Sequence, residues 1–317
     1  MIAPSAKPGQ ATDDVSVSLE SVPKCYRLAA TEKPGPDRIA PLTPVEAQLQ
    51  FAVDAEGRTY LARHYAAYPY HLTRTFRLDR AAPQAATVYL QSLSGGLLQG
   101  DHVALRLSAT GCAIAHVTTQ AATKVHSMER GFARQEVNIE ALDESHLEYI
   151  ADPTICFPRS QLFSRTDLCV AAGASAILAE SYLWHDPHGT GEIAFNALAM
   201  ETAIRRPDGS LIALDRSSLA SARGLSGNPA VLGPHRALGT LFAIGRGCGR
   251  QSALSVVRGA LEGIPGVYAG VSHLPAEAGL WARLLASDGA SLRAAMESAW
   301  RRCHEQMLGW VSDRRRK

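Results

Sequence analysis

The chain lacks the sequence signatures of most catalytic sites. Its 317 residues contain no Gly-x-x-x-x-Gly-Lys-Ser/Thr phosphate loop, no Gly-x-Ser-x-Gly nucleophile elbow and no Cys-x-x-Cys pair. The glycine cluster at 245–249 has neither dinucleotide-binding nor phosphate-loop spacing, so we predict a turn there. The six cysteines lie far apart, which argues against a zinc knuckle or a disulfide framework. We therefore expect a protein that is not an enzyme, hydrolyses no nucleotide by itself and keeps its cysteines reduced.

Several other features are scarce. No apolar run approaches the roughly 20 residues that a membrane-spanning helix needs, and residues 1–10 lack the apolar segment of a signal peptide. The formal net charge is only +2, so no strong field favours nucleic acid or an anionic membrane. We expect a cytoplasmic protein with no nucleic-acid or membrane partner.

The chain divides into three parts by composition. Residues 1–44 carry seven prolines and little periodicity, which predicts a flexible extension. Residues 45–311 have the mixed composition of one β-rich domain, and residues 312–317 form a basic tail. This tail is either a solvated end with no specific role, favourable after a helix C-terminus, or a basic patch that binds an acidic partner.

Alternating polar and apolar residues predict strands over most of the central region. Gln48–Val53 and Thr59–Ala62 flank a turn with Gly57, and Met200–Arg205 and Leu211–Leu214 flank Asp208–Gly209. Both patterns indicate hairpins. Turns at Thr110–Gly111, Asp143–Glu144 and Ala172–Gly173 each precede a short apolar strand, at a spacing of about thirty residues. Units of this size bury an apolar face only by stacking, which favours coil-like layers of short strands.

Helical spacing appears only late in the chain. Leu280, Trp281, Leu284 and Leu285 predict one helix, and apolar residues from Leu292 to Val311 predict a second, with caps in 288–291. The fold class is therefore mainly β, with stacked, coil-like layers of short strands and two C-terminal α-helices. The second helix has more large apolar surface than one packed stripe needs, so we predict that Trp300, Met307 and Trp310 also bind a partner.

Polar residues offer two kinds of candidate site. His185 and His188 flank Asp186–Pro187 in a predicted loop that folds around a metal ion or simply lies at the surface. The other nine histidines are scattered singly along the sequence. Acidic residues at strand ends are usually solvated, but any that face inward need pairing, hydration or a cation. Five acidic residues lie within or beside predicted strands: Asp101, Glu148, Asp152, Glu180 and Glu192.

Several tracts together resemble the UreD/UreH family of urease accessory proteins, over roughly residues 45–308. Each tract alone is a weak match, and their order and spacing carry the resemblance. The tracts are Gly95–Gly96 to Gly100–Asp101, Thr118 to Lys124, Leu147 to Pro153, Gly173 to Ser175, Gly191 to Phe195, and Asp208–Gly209 to Asp215–Arg216.

The resemblance implies a β-rich fold of stacked strands with two C-terminal helices. It also implies a scaffold that helps load nickel into apo-urease, in complex with UreF and the GTPase UreG, with nickel supplied by UreE. No tightly bound cofactor is implied; nickel would be in transit. Members of the family are proposed to pass nickel through an internal channel. The positions here that match its polar wall are Asp101, Thr123, Glu180 or Ser181, and Glu192.

Two other functions remain open from the residues alone. Inward carboxylates such as Asp101 and Glu192 on a β-coil would suit a carbohydrate-active hydrolase or lyase, and a β-coil also suits a polysaccharide-binding module. Both predict a groove lined by exposed aromatic side chains, whereas Phe, Trp and Tyr make up only 6% of this chain. Asp101 follows Gly100 in a predicted turn, where its carboxylate would equally serve to cap backbone N–H groups.

Overall fold

The computed structural model describes residues 44–189, 195–220 and 231–313. The predicted extension lies outside these ranges apart from Pro44, and so do the last four residues of the predicted basic tail. Within them the chain forms strands β1 (Val45–Val53), β2 (Thr59–Ala66), β3 (Tyr70–Leu72), β4 (Ala86–Ser92), β5 (His102–Ala109), β6 (Ile114–Gln120), β7 (Thr123–Val125), β8 (Ala133–Ala141), β9 (His146–Ile150), β10 (Thr154–Cys156), β11 (Gln161–Val170), β12 (Ser175–Trp184), β13 (Ala197–Arg205), β14 (Leu211–Ala220) and β15 (Ala237–Ile244), then helix α1 (Gln251–Leu261), strands β16 (Val267–His273) and β17 (Gly279–Ala286), and helix α2 (Gly289–Leu308).

The strands form two sheets. The first sheet has seven strands in the order β14-β13-β11-β8-β5-β1-β2. The second follows the path β16-β17-β15-β12-β9-β6-β4-β3, with β10 and β7 attached beside β12. From β4 to β13 the chain visits the sheets in turn, and neighbouring strands pair in parallel within each sheet. The predicted coil-like stack of short strands is therefore confirmed.

The three predicted repeat turns are the corners where the chain crosses from the first sheet to the second. They stack directly: Gly111 N donates to Asp143 Oδ2 at 2.9 Å, and Glu144 N donates to the Gly111 carbonyl at 3.2 Å. A Cβ at Gly173 would lie 2.8 Å from the Asp143 carbonyl oxygen, closer than side-chain atoms come. The glycines in these turns thus permit successive coils to approach at the spacing of hydrogen-bonded strands.

Both predicted hairpins are confirmed. Strands β1 and β2 pair antiparallel around the turn at Gly57, and β13 and β14 pair antiparallel around Asp208–Gly209. Asp208 Oδ1 accepts a hydrogen bond from Ser210 N at 2.8 Å, which closes the second turn. The glycine cluster at 245–249 is a turn, as predicted.

The fold has two α-helices in its described part, both C-terminal, but only one lies where the sequence predicted. The helix predicted around Leu280–Leu285 is wrong: these residues form β17, whose alternate side chains Leu280, Ala282, Leu284 and Ala286 are fully buried. Trp281 and Leu285 occupy its other face, which is also largely covered. A short run that is apolar on both faces fits helical and strand periods alike, and pairing with β15 and β16 decides the outcome.

The helix that the sequence analysis missed is α1. Its buried residues are Ala253, Leu254, Val257 and Leu261. Their spacing of three to four residues is that of an amphipathic helix and could have predicted α1, despite the glycines on either side. Helix α2 confirms its prediction: Asp288 caps it by accepting from Ser291 N at 2.8 Å, and Gly309 ends it in the left-handed region.

Apolar side chains pack in two layers. One fills the space between the two sheets, and the other lies between the second sheet and the helices. The second sheet is thus covered on both faces, so polar groups on either face must find partners inside the protein. No helix in the described ranges is both long and apolar enough to span a membrane.

Candidate functional site

Glu180 lies in the middle of β12 and faces the first sheet. Its carboxylate bridges the two sheets: Thr166 Oγ1 donates to Oε1 at 2.7 Å and Thr202 Oγ1 donates to Oε2 at 3.1 Å. Burial raises the pKa of Glu180 above its usual range, and the two threonine hydrogen bonds offset only part of this effect. The interior between the sheets therefore contains an acidic group whose charge is disfavoured but solvated by hydroxyls.

This carboxylate belongs to a line of polar side chains that crosses both sheets. In the second sheet Glu180 pairs with Thr240, and Thr240 pairs with Arg283 on the next strand. In the first sheet Thr166 pairs with Thr202, and Thr202 pairs with Asp215. Residues paired across strands share a face, so these six residues form what we call the polar row.

The polar row runs from the interior toward one side of the molecule. At its outer end Arg283 donates to Asp215 across the gap between the sheets, and both side chains are about one-quarter exposed. At its inner end Glu180 is half-buried. The row therefore connects a half-buried carboxyl with a partly hydrated ion pair, through threonine hydroxyls.

Asp101, by contrast, is engaged in its own turn. Its Oδ2 accepts from Leu98 N at 2.7 Å, and its carbonyl oxygen accepts from Arg134 N at 2.8 Å. The geometry is that of the capping role weighed from the sequence. Thr123 starts β7, is half-buried and donates its N–H to the Pro153 carbonyl at 3.1 Å. Among the described residues, no hydrogen bond or ion pair joins Asp101 or Thr123 to Glu180.

The remaining predicted metal candidates are dispersed. Glu192 lies outside the described residues. His185 and His188 are exposed in the loop after β12, where Asp186 Oδ1 accepts from His188 N at 3.0 Å. These loop side chains are not among the groups of three metal-ligand atoms that lie close together in the described part of the chain.

One polar cluster was missed from the sequence. Glu148 on β9 is buried. It pairs with Ile177 on β12, which lies three residues before Glu180 and therefore on the opposite face of the strand. Glu148 thus faces away from Glu180, on the other side of the second sheet. Three histidines that stand singly in the sequence, and a tryptophan, surround it. Two local spacings were present, His146 two residues before Glu148 on β9 and Trp300 four residues before His304 on α2, but neither joins the elements to one another. The surrounding residues are His116, His146, His304 and Trp300.

All four neighbours donate to the same carboxylate. His116 Nδ1 lies 2.7 Å and Trp300 Nε1 3.0 Å from Oε2. His304 Nδ1 lies 2.7 Å and His146 Nε2 3.0 Å from Oε1. Burial alone would raise the pKa of Glu148, but the charge of His304 and the histidine hydrogen bonds outweigh it and hold the pKa well below its usual range. Burial likewise opposes the charge of His304, and attraction to Glu148 overrides it and raises the pKa of His304.

The predicted partner-binding residues divide between interior and surface. Trp300 is 1% exposed and packs in the core between α2 and the second sheet. Met307 is half-buried against the same core, and the half-buried Trp310 stacks edge-on against His304 at 5.4 Å between ring centres. Only Met307 and Trp310 therefore retain surface that a partner can reach.

Fold and site together define a class of protein: a two-sheet β-coil with two C-terminal helices packed on its second sheet, and with polar groups buried on both faces of that sheet. Residues 45–316 match the UreD urease accessory protein family. The chain belongs to this family.

Relatives along nearly the whole chain agree with this assignment. The protein is 39% identical to urease accessory protein UreD 1 of Methylorubrum extorquens strain PA1, over 96% of this chain and 100% of the relative. It is 34% identical to UreD 1 of Pseudomonas syringae pv. syringae strain B728a, over 86% and 95%. It is 31% identical to urease accessory protein UreD of Natronomonas pharaonis, over 92% of this chain and 97% of the relative.

Proposed function

We propose that this protein is a non-enzymatic scaffold for urease maturation that assists nickel insertion into apo-urease. The observation that carries the proposal is its membership of the UreD family over residues 45–316. The relatives it matches are named urease accessory proteins, and the alignment spans almost their full length. The missing nucleotide-binding and nucleophile motifs support a role without chemistry of its own.

We further propose its partners. A UreF-like accessory protein and apo-urease dock on it, and a UreG-like GTPase supplies the nucleotide hydrolysis for which this chain has no phosphate loop. Nickel reaches the assembly from a UreE-like donor. Met307 and Trp310, at the C-terminal end of α2, are the candidate docking residues, because both keep accessible apolar surface beside a rigid core. A cytoplasmic location remains a prediction.

The polar row is our candidate for the nickel passage between the sheets. Carboxylate and hydroxyl oxygens hold a hydrated divalent ion loosely, and a raised pKa weakens the attraction of Glu180 for a cation further. Loose attraction suits transfer, because an ion that binds tightly does not leave. Asp101, Thr123 and Glu192 remain proposed members of the passage wall, but of the predicted wall residues within the described part of the chain, Glu180 alone belongs to the polar row.

The test is urease activation in a host lacking this gene. Under limiting nickel the deletion should abolish urease activity and lower the nickel content of purified urease, and the restored gene should recover both. A host that produces fully nickel-loaded urease without this protein, at the same nickel concentration, would contradict the proposed scaffold role.

A further inference from the structure

Four nitrogen donors converge on the buried carboxylate of Glu148 and fill its roughly four lone-pair sites. One positive charge suffices to neutralise one carboxylate, yet three imidazoles converge on this one, from β6, β9 and α2. Each buried imidazole itself loses hydration, and His304 Nε2 has no hydrogen-bond partner in the described residues, a penalty of about 1–3 kcal/mol. Hydrogen bonding to Glu148 therefore accounts for the donors but not for the unpartnered Nε2 of His304.

The cluster has the arrangement of a metal centre. His146 Nε2, Glu148 Oε1 and His304 Nδ1 lie within 4.8 Å of one another. Zinc-like ions bind such ligands at about 2.0–2.2 Å, which puts ligand atoms about 3.3 Å apart in a tetrahedron. The distances from Oε1 to the two nitrogens, 3.0 and 2.7 Å, are shorter than that spacing by about 0.3 and 0.6 Å. Coordination would therefore require the side chains to move apart by about these amounts.

A supporting group lies behind one ligand. His146 Nδ1 is 2.7 Å from Ser175 Oγ. When His146 Nε2 donates a hydrogen bond to Glu148, Nδ1 accepts one from the serine hydroxyl. When Nε2 binds a metal, Nδ1 carries the ring proton and donates a hydrogen bond to the serine oxygen. A hydroxyl that serves both states orients the ring as outer-shell partners of metal-bound histidines do.

We propose that His146, Glu148 and His304 form a binding site for a divalent transition metal of the Zn²⁺ and Ni²⁺ class. His116 supplies a fourth nitrogen or continues to hold Glu148 Oε2. Two imidazoles and a carboxylate select borderline ions over Mg²⁺ and Ca²⁺. The metal ion would replace the hydrogen-bonding protons between Glu148 and its two histidine neighbours, and those protons would pass to solvent.

Access lies beneath the C-terminal end of the chain. Trp310 covers His304, and the segment that follows is fastened by Ser312 Oγ and Asp313 N, each 2.8 Å from Asp79 Oδ1. Release of this segment would expose His304 without disturbing the sheets. The site lies on the face of the second sheet opposite to the polar row. Its test measures metal binding to the isolated chain, so the result does not depend on the proposed role in urease maturation.

The test uses the untagged full chain, stripped with a chelator and titrated separately with Zn²⁺, Ni²⁺ and Co²⁺ chlorides. We expect one metal ion per chain, a Co²⁺ spectrum of nitrogen and oxygen ligands, and X-ray absorption that shows imidazole scattering. Glu148→Gln and His304→Gln should each weaken binding at least about tenfold. The matched control, His185→Gln with His188→Gln, removes the exposed loop histidines and should change nothing.

Two results would overturn the proposal. One is a folded wild-type chain that takes up no stoichiometric metal, which would make the cluster a structural hydrogen-bond network. The other is binding that disappears in the His185/His188 double variant, which would locate the metal in the surface loop. Because that variant leaves the core untouched, imidazole scattering from it decides the question even if the Glu148 and His304 variants fail to fold.

Discussion

Trp300 Nε1 on helix α2 donates a hydrogen bond to Glu148 Oε2 on strand β9 at 3.0 Å, across 152 residues of sequence. Both side chains are almost completely buried. The contact joins the C-terminal helix to the β-coil through a charged acceptor, and charged hydrogen bonds are the stronger ones. It fixes the inner face of α2 to the second sheet, while exposed residues such as Arg293 and Arg302 lie on the outer face of the helix.

Trp300→Phe should destabilise the protein by about 1–3 kcal/mol, because it keeps most of the ring but leaves Glu148 one donor short. Urea unfolding of the metal-free chain measures this difference. The matched control is Trp281→Phe, since Trp281 Nε1 has no hydrogen-bond partner in the described residues. Its effect should be smaller than that of Trp300→Phe, because no hydrogen bond is lost. Equal effects of the two substitutions would show that the Trp300–Glu148 bond contributes nothing.

The pH dependence of stability should report the Glu148–His304 pair. Because the folded-state pKa of His304 is raised, its contribution is fully present below its unfolded value of 6.5 and is lost as pH rises through the folded pKa. Because the pKa of Glu148 is lowered, its contribution is present above 4.5 and is lost as pH falls through the folded pKa. Urea midpoints of wild type and His304→Gln, with chelator present, should therefore converge above neutral pH. A constant difference from pH 5 to pH 9 would rule out the ion pair.

Glu180→Gln should leave the fold intact and slow nickel delivery. The raised pKa of Glu180 means that its ionised form is disfavoured in the folded state, so wild type loses stability relative to the neutral variant as pH rises above 4.5. Loss of the carboxylate should lower urease nickel content several-fold at limiting nickel, with less effect at excess nickel. The control is Glu201→Gln, which removes a carboxylate bound to Arg216 rather than one in the polar row. Unchanged loading by Glu180→Gln, with assembly intact in gel filtration, would remove the polar row from the passage.

Trp310→Ala should weaken binding to a UreF-like partner while the chain stays folded, because Trp310 covers His304 only at the edge of the core. Pull-down of the partner together with a thermal unfolding curve separates the two effects. Tyr268→Ala is the control, since Tyr268 is 71% exposed on the edge strand β16. If Trp310→Ala unfolds the protein without a separable binding defect, the residue belongs to the core alone.

The sequence predicted what depends on local patterns. Each correct prediction depended on a pattern within a few residues: strand alternation, the Asp208–Gly209 hairpin, the three corner turns and the Asp288 cap. The strand at Leu280–Leu285 was predicted as a helix because its pairing with β15 is invisible locally. The Glu148 cluster was missed for the same reason: His116, His146 and His304 meet only after the coils stack and α2 folds back. The family resemblance predicted Glu180 in a polar interior. It did not predict Thr166 and Thr202, because these residues meet Glu180 only when their strands pair and the two sheets pack face to face.

The most direct measurement of the central claim is reconstituted activation of apo-urease. Apo-urease, a UreF-like protein, a UreG-like GTPase, GTP, bicarbonate and limiting Ni²⁺ are combined with or without this protein, and urease activity and bound nickel are followed together. The scaffold account predicts that both appear only when the folded chain is present, and that the chain itself is not consumed. Equal activation without it, or with a heat-denatured sample in its place, would contradict the account.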